Sequence, residues 1–330
     1  AYVGGPSGGA AIAQRWFWQT CPSALSVRDA TSNTAHLTAW LWSPRAEPMD
    51  LRPWRGGNGM EGYGAQNAGL DITYEDYEPG WGSATGIAKT HELTLWACEA
   101  TPENAMIETM AAANAASPRM MAAPEHLNKA GVFGDWSLPD RSSRNRAIVE
   151  DQLERLVDFY AGEVDRRGWY GFWNHGDIMH TYDADRHQWR YDIGGFAWDN
   201  SELSPDLWLW YQALRTGAAQ PFRLAEAMTR HTSEVDTYHL GRFKGLGTRH
   251  GVQHWGDSSK QPRVSNAIYR RIYFYLTADD RVGDLIADLV DSDRTLDHVE
   301  IGRKVPGAKP SAGPKGTFEM GFGPSWTALV

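Results

Sequence analysis

The chain has 330 residues, 42% hydrophobic and 22% charged, with a formal net charge of −9. That length leaves room for about one to three domains, each with a core of its own. The acidic balance argues against a broad nucleic-acid or anionic-membrane surface, which needs clustered Lys and Arg, and no apolar run reaches the roughly 20 residues of a membrane-spanning helix.

Residues 11–100 read as β-rich. Phe17-Trp18-Gln19, His36 to Trp42 and His91 to Ala97 alternate in the period of a half-buried strand. Between them, Arg55-Gly56-Gly57-Asn58-Gly59 and Glu78-Pro79-Gly80-Trp81 read as loops. Residues 1–100 therefore suit part of a β-sandwich. At Thr101-Pro102 the period changes, with Thr101 placed to cap and Pro102 to open an Ala-rich helix to about Ala116. Residues 142–167 predict a long amphipathic helix with Ile148, Leu153, Leu156, Val157 and Tyr160 on its apolar face. Further helices are expected over 204–216, closed by Gly217, over 221–235 and 262–276, each opened by Pro, and over 279–290.

Long helices joined by loops rich in Gly, Trp and His suggest stacked hairpins in an α/α toroid over residues 101–300. Lys304 to Pro310 is linker-like and leads residues 301–330 into a short β-leaning tail. The expected class is an α+β multidomain chain: a partial β-sandwich, an α/α toroid forming an incomplete helical barrel, and that tail. The ends, Ala1-Tyr2-Val3 and Ala328-Leu329-Val330, read as those of an internal piece of a longer protein, so flanking domains are expected partners. Cys21 and Cys98 are compatible with one disulfide or with two thiols.

Sixteen Trp is the outlying count, and indole faces are suited to stacking on sugar rings. The densest stretch is Trp169 to Asp177, followed by His180, Tyr182 and Trp189 to Asn200, too long for a simple connector between two helices. Its competing structural reading is an aromatic plug with turn-forming Asp and Asn. A second stretch, residues 230–271, holds Arg242, Lys244, Arg249, His250, His254, Lys260, Arg263, Arg270 and Arg271 against Glu234, Asp236 and Asp257. This local reversal of sign favours a small anionic ligand such as a carboxylate, against the alternative of a solvated basic face. His250 and His254 are four apart but lack the Glu of a zinc-protease helix, so no cofactor is expected; calcium is possible in principle but nothing in the sequence indicates it. No nucleophile elbow is present.

Two carbohydrate chemistries remain. A lyase needs a base for the proton alpha to a uronate carboxylate, cations or amides for the enolate, and an acid for the leaving oxygen. A glycoside hydrolase needs two carboxyl groups, for which Asp177, Asp192, Asp199, Glu202 and Asp206 are available, helix capping being their competing role. A non-catalytic carbohydrate-binding fragment is the third alternative.

Four segments, Ala46 to Arg52, Ile87 to Leu93, Asp192-Ile193-Gly194-Gly195 and Arg249 to Asp257, resemble the exo-rhamnogalacturonan lyase family, polysaccharide lyase family twenty-six, and its bacterial relatives. The likeness runs through most of residues 10–300. It implies an N-terminal β-sandwich, a central toroid, a C-terminal β domain, and β-elimination at a galacturonate–rhamnose backbone of an acidic polysaccharide or oligosaccharide. It also implies secretion or a periplasmic location for the full-length protein. On this resemblance Lys89 and His91 reach the cleft from the sandwich, and His175, His180, Tyr182, Arg249, His250 and His254 from the toroid loops, as base, acid and charge-stabilising groups. Arg249 and Asn174 would hold the carboxylate, and Trp173, Trp198 and Trp255 would stack on sugar rings. Asn200, Glu202 and Arg263 would complete the binding surface.

Overall fold

The computed structural model describes residues 1–49, 83–189, 198–199, 205–248, 255, 260–301, 317 and 322–329. These fall into two units, one of residues 1–49, 90–121 and 170–175, the other of residues 50–89, 122–169 and 176–330.

In the first unit, β1 (Tyr2–Gly5), β2 (Gly8–Gln14) and β5 (Leu93–Cys98) form an antiparallel sheet in the order β1-β2-β5. The Gly-rich start, which carries no periodic signal, is a hairpin whose strands approach too closely for side chains. A Cβ on Gly4 would meet the Cα of its partner Gly9 at 2.6 Å. A second sheet pairs β3 (Ala24–Arg28) with β4 (His36–Trp40), and the Trp40 indole donates to Ser26 Oγ at 2.9 Å. The strand expected over Phe17–Gln19 is instead a turn. Trp16 lies at φ 54°, and both the amide and the hydroxyl of Thr20 donate to its carbonyl, a local alternative to ladder pairing. Helix α1 (Asn104–Ala115) starts later than expected, with Glu103 and not Thr101 at its N-cap, and Thr94 Oγ1 donates to Asn114 Oδ1 at 3.0 Å to tie it to β5. Residues 170–175 join this unit through Gly171 N–H to Gln19 O and Phe172 N–H to Cys21 O, both 2.7 Å. Cys21 and Cys98 are free thiols.

The second unit is helical. It contains α2 (Pro124–Ala130), α3 (Arg144–Arg167), the short pair β6-β7 (Tyr182–Asp183 with Gln188–Trp189), α4 (Pro205–Thr216) and α5 (Ala219–Glu234). There follow β8-β9 (Gly247–Thr248 with Lys260–Gln261), a 3₁₀ turn at Ala267–Arg270 leading into α6 (Arg271–Thr277), α7 (Asp280–Val290) and α8 (Pro324–Leu329). Ser143 caps α3 by accepting from Arg146 N–H, and Gly168 closes it in the left-handed region. Two members of its expected apolar face, Ile148 and Leu156, point outward. The inner face is held by Val157, as expected, and by Glu150 and Glu163, two acids with dedicated partners. Glu150 accepts from Arg215 at 2.6 Å and from the Asp140 amide at 3.0 Å, while Glu163 accepts from Arg167 and from the Trp189 indole at 2.7 Å. Pro262 lies in a turn and does not open a helix; Asn266 does that by accepting from Ile268 N–H. The described end of the tail is helical, where extended chain was expected.

Helices α4 and α5 form a tight hairpin through Gly217-Ala218. Trp210, fully buried on α4, stacks on Tyr273 of α6 and donates to Thr229 Oγ1 of α5 at 2.8 Å, so its truncation to Ala costs about 3–5 kcal/mol. From Ala225 to Glu234 every residue of α5 is buried. A helix enclosed on all sides must have its polar side chains satisfied internally. Arg270 does part of this, donating to Ser233 Oγ at 3.0 Å and to Thr232 O at 2.9 Å.

Two loops reach this enclosed helix and the turn beyond it through glycines that no other residue can replace. Gly86 (φ +110°) and Gly176 (φ +99°) each bring a would-be Cβ to 2.2 Å from a carbonyl, of Leu240 and Ala227 respectively. Both positive φ and contact forbid a side chain. Gly176→Ala and Gly86→Ala should each lower stability by about 2 kcal/mol or more in urea unfolding. Gly5→Ala, which meets nothing within 4 Å, should stay within about 0.5 kcal/mol of the parent.

Candidate active site

The enclosed end of α5 carries Arg230, His231 and Glu234, with Asp236 just beyond it. The Gly176 loop delivers Asp177 beside His231. Imidazole Nε2 lies 3.3 Å from Asp177 Oδ2 and 3.6 Å from Asp236 Oδ2, with all three groups buried. Burial alone would lower the imidazole, but the two carboxylates outweigh it and hold His231 at about 9. Arg230 and Glu234 form a buried pair at 3.8 Å.

The Gly86 loop is fixed on the same end by three hydrogen bonds: His239 N–H to Gly86 O at 2.6 Å, Ala88 N–H to Glu234 O at 3.3 Å, and Tyr238 OH to Ser83 O at 2.9 Å. It sets Lys89 among these charges while leaving it partly accessible. Desolvation lowers its ammonium to about 8. Glu234, Asp236 and Asp177 oppose the shift and Arg230 adds to it. On the other side of Asp177, Asp199 N–H donates to Ile178 O at 2.8 Å, which puts a second carboxyl near the first. Burial, and then the charge of Asp177, raise Asp199 to about 8. Tyr160 is raised by burial and by Asp199. Near neutral pH the site thus holds an amine within reach of its neutral form, a carboxylic acid that keeps its proton, and a fixed imidazolium. A potential base and a potential acid have been pushed apart from their ordinary values by one environment.

Of the residues expected from sequence, Lys89 is in this cluster. His180 is exposed, with Nδ1 2.6 Å from Thr181 Oγ1, and Tyr182 is exposed on β6 against Trp189. His91, His175, Trp173 and Asn174 belong to the first unit. There His91 Nδ1 meets Gln14 Nε2 at 3.3 Å, His175 is packed between Trp16 and Tyr170, and Asn174 is half-buried beside it. Trp173 and Trp255 are corrected as stacking platforms. Trp173 is buried edge-on to Phe172, and Trp255 is fully buried with its indole donating to Val235 O, so neither presents an open ring face. Trp198 is partly exposed, edge-on to Trp169, and Arg263 is half-buried after β9. Arg249, His250, His254, Asn200, Glu202 and Asp192 lie outside the described residues.

The expected basic surface is in part internal. Lys260 is fully buried, donating to Thr248 Oγ1 at 2.7 Å and Trp255 O at 3.0 Å, and Arg270 is fully buried as well. The residues that sequence reasoning passed over are His231 and Asp236, which lie within the basic run; Asp177 was weighed only as a hydrolase carboxyl. Their signal was Arg230-His231, Glu234 and Asp236 crowded at a helix end. What that crowding meant depended on burial, which spacing does not report. Among the described residues, no group of three or more His, Cys, Asp or Glu side chains is disposed to hold a metal ion.

Residues 1–112 match the family model for the PcRGLX-like protein central beta sandwich domain, and residues 117–330 match that for the PcRGLX-like protein C-terminal alpha/alpha toroid domain. The strands-then-helices order is thus that of a β-sandwich followed by an α/α toroid. The chain is also 42% identical, over 295 residues, to the uncharacterized protein YetA of Bacillus subtilis (strain 168). That alignment covers 89% of this chain and 33% of YetA, so the chain spans about a third of the length of the curated relative it matches.

The cluster has a measurable signature. A folded-state value of about 9 for His231, above the unfolded 6.5, contributes stability that is complete below 6.5 and lost as pH rises through 9. Imidazole NMR should show His231 still protonated at pH 8. Asp177→Asn should lower its titration by at least one unit, and an imidazole that titrates near 6.5 in the parent would refute the ion-pair assignment.

Proposed function

The chain belongs to the PcRGLX-like protein family, and on that premise we propose that it is the catalytic part of a polysaccharide lyase acting on a uronate-containing, rhamnogalacturonan-like polysaccharide by β-elimination. One observation carries this reading: Lys89, partly accessible and lowered to about 8, is an amine able to act as a base near neutral pH. The base removes the C5 proton alpha to the uronate carboxylate. The electron pair passes through the enolate to form the C4–C5 double bond, and the C4–O bond breaks. The leaving oxygen then takes a proton. Asp199 has a proton to give, because burial and Asp177 keep its carboxyl neutral up to about 8. Arg230 and the His231 imidazolium supply fixed positive charge toward the enolate, while Asp177 and Asp236 hold that imidazolium in place.

The Asp177–Asp199 pair favours a second reading. A neutral acid beside an ionised carboxylate is the donor set of a glycoside hydrolase. In that case Lys89 would only position charge.

The two readings differ in product. Incubating the full-length protein with rhamnogalacturonan should yield an unsaturated, ultraviolet-absorbing product, with a rate that rises toward pH 8 as Lys89 loses its proton and falls above it as Asp199 loses its own. Lys89→Ala should reduce that rate by roughly 10²–10⁴-fold, and Lys89→Arg, which stays charged, should not restore it. New reducing ends without absorbance, abolished by Asp199→Asn but not by Lys89→Ala, would replace elimination with hydrolysis. Absence of an unsaturated product across uronate polymers would sink the lyase.

A further inference from the structure

A second concave site lies between α3 and α4, on residues that the Lys89 cluster does not use. Its cavity is about 570 Å³, within the size range of small-ligand sites. Helix α3 turns Arg146, Val149, Glu150 and Leu153 toward it; α4 turns Trp208, Tyr211, Gln212 and Arg215. Each set follows the i, i+3, i+4, i+7 spacing of one helix face. Two such faces ordinarily interdigitate, ridge into groove. Here an ionic strut lies between them instead. Arg215 spans from α4 to Glu150 on α3 at 2.6 Å and also donates to Ser137 O at 2.7 Å, while Glu150 accepts from the Asp140 amide.

The charges of the groove are already engaged with one another, Arg215 with Glu150 and Arg146 with Asp140. No surplus positive charge remains for a carboxylate, which separates this site from the uronate chemistry proposed for Lys89. Its walls are Leu138, Val149, Leu153 and the half-buried rings of Trp208 and Tyr211. Polar atoms are nonetheless open to it. Among the described residues the Trp208 indole N–H, the Gln212 side-chain NH₂ and the Ser137 hydroxyl have no hydrogen-bond partner, although the Gln212 oxygen accepts from Arg215. Aromatic faces with unengaged donors at their edge suit a ligand that is flat and apolar on one face, rich in oxygen at its rim, and uncharged.

We propose that the α3–α4 groove is a binding subsite for a neutral pyranose, holding an uncharged sugar unit of the polysaccharide away from the Lys89 cluster. The choice of a sugar among neutral ligands rests on the function proposed above; the neutrality and the position rest on the groove itself.

The test is saturation-transfer NMR and calorimetry on the full chain, with L-rhamnose and D-galactose as neutral probes and D-galacturonate as the charged one. Saturable binding of a neutral probe is expected at the groove, whereas galacturonate held at the Lys89 cluster should bind with an affinity that the groove variants leave unchanged. Val149→Trp fills the mouth from an exposed position, and Trp208→Phe removes the indole donor while keeping an apolar ring. Each should weaken the neutral probe at least ten-fold with the thermal midpoint preserved. Lys89→Ala should leave this binding intact, so loss of elimination and loss of the subsite are read separately. No saturable neutral binding, galacturonate binding lost together with that of the neutral probe in the groove variants, or unchanged neutral binding in both groove variants would overturn the proposal.

Discussion

An imidazolium removed from water is the constraint on which the larger unit depends. His231 is fully buried, and an isolated charge there would be expelled or neutralised. Asp177 and Asp236 make it tenable, and placing them shapes the backbone on both sides of α5. Gly176 must pass so close to Ala227 that only a hydrogen fits on its Cα. Gly86 does the same against Leu240, and the loop it begins ends in Lys89. The same poorly solvated surroundings then act on two ionisable neighbours in opposite directions. They lower the lysine, which is charged when protonated, and raise Asp199, which is charged when deprotonated. The displaced titration of both groups is therefore a by-product of enclosing α5.

The same logic recurs farther out. Glu150 and Glu163 occupy inward positions on α3 that apolar residues would ordinarily hold, and each is matched by Arg and by a backbone amide or an indole N–H. Arg270 is fully buried against the hydroxyl and carbonyl groups of α5. Removing one partner from any of these sets leaves a buried charge without compensation, which is why such pairs specify geometry more than they add stability. The Glu150–Arg215 strut shows the consequence for shape: a pair that spans two helices accompanies a cavity where side chains would otherwise interdigitate.

Periodic features were the legible ones. The strand at His36–Trp40, the long helix ending at Gly168, and the helices over 205–216 and 280–290 follow from alternation, capping and glycine stops. The failures have local causes. Phe17–Gln19 alternates but is too short to outcompete the Thr20 bonds to Trp16, and Pro262 suits a helix start but sits in the turn after β9. Among the candidate residues, Lys89 was expected through resemblance and lies in the buried charge cluster. Trp255 was misplaced because indole content says nothing about which indoles are buried. His231 was hidden because its partner Asp177 lies 54 residues away in the chain.

By itself the sequence determined the division into a strand-rich and a helix-rich part, because composition and period are local properties. Tertiary structure alone decided which charges face one another and which aromatics are open. Those are matters of desolvation and distance between segments far apart in the chain, so the same Arg, His, Glu and Asp could have formed a solvated basic face. Enclosure turned them into an ion cluster with a lysine at its accessible edge.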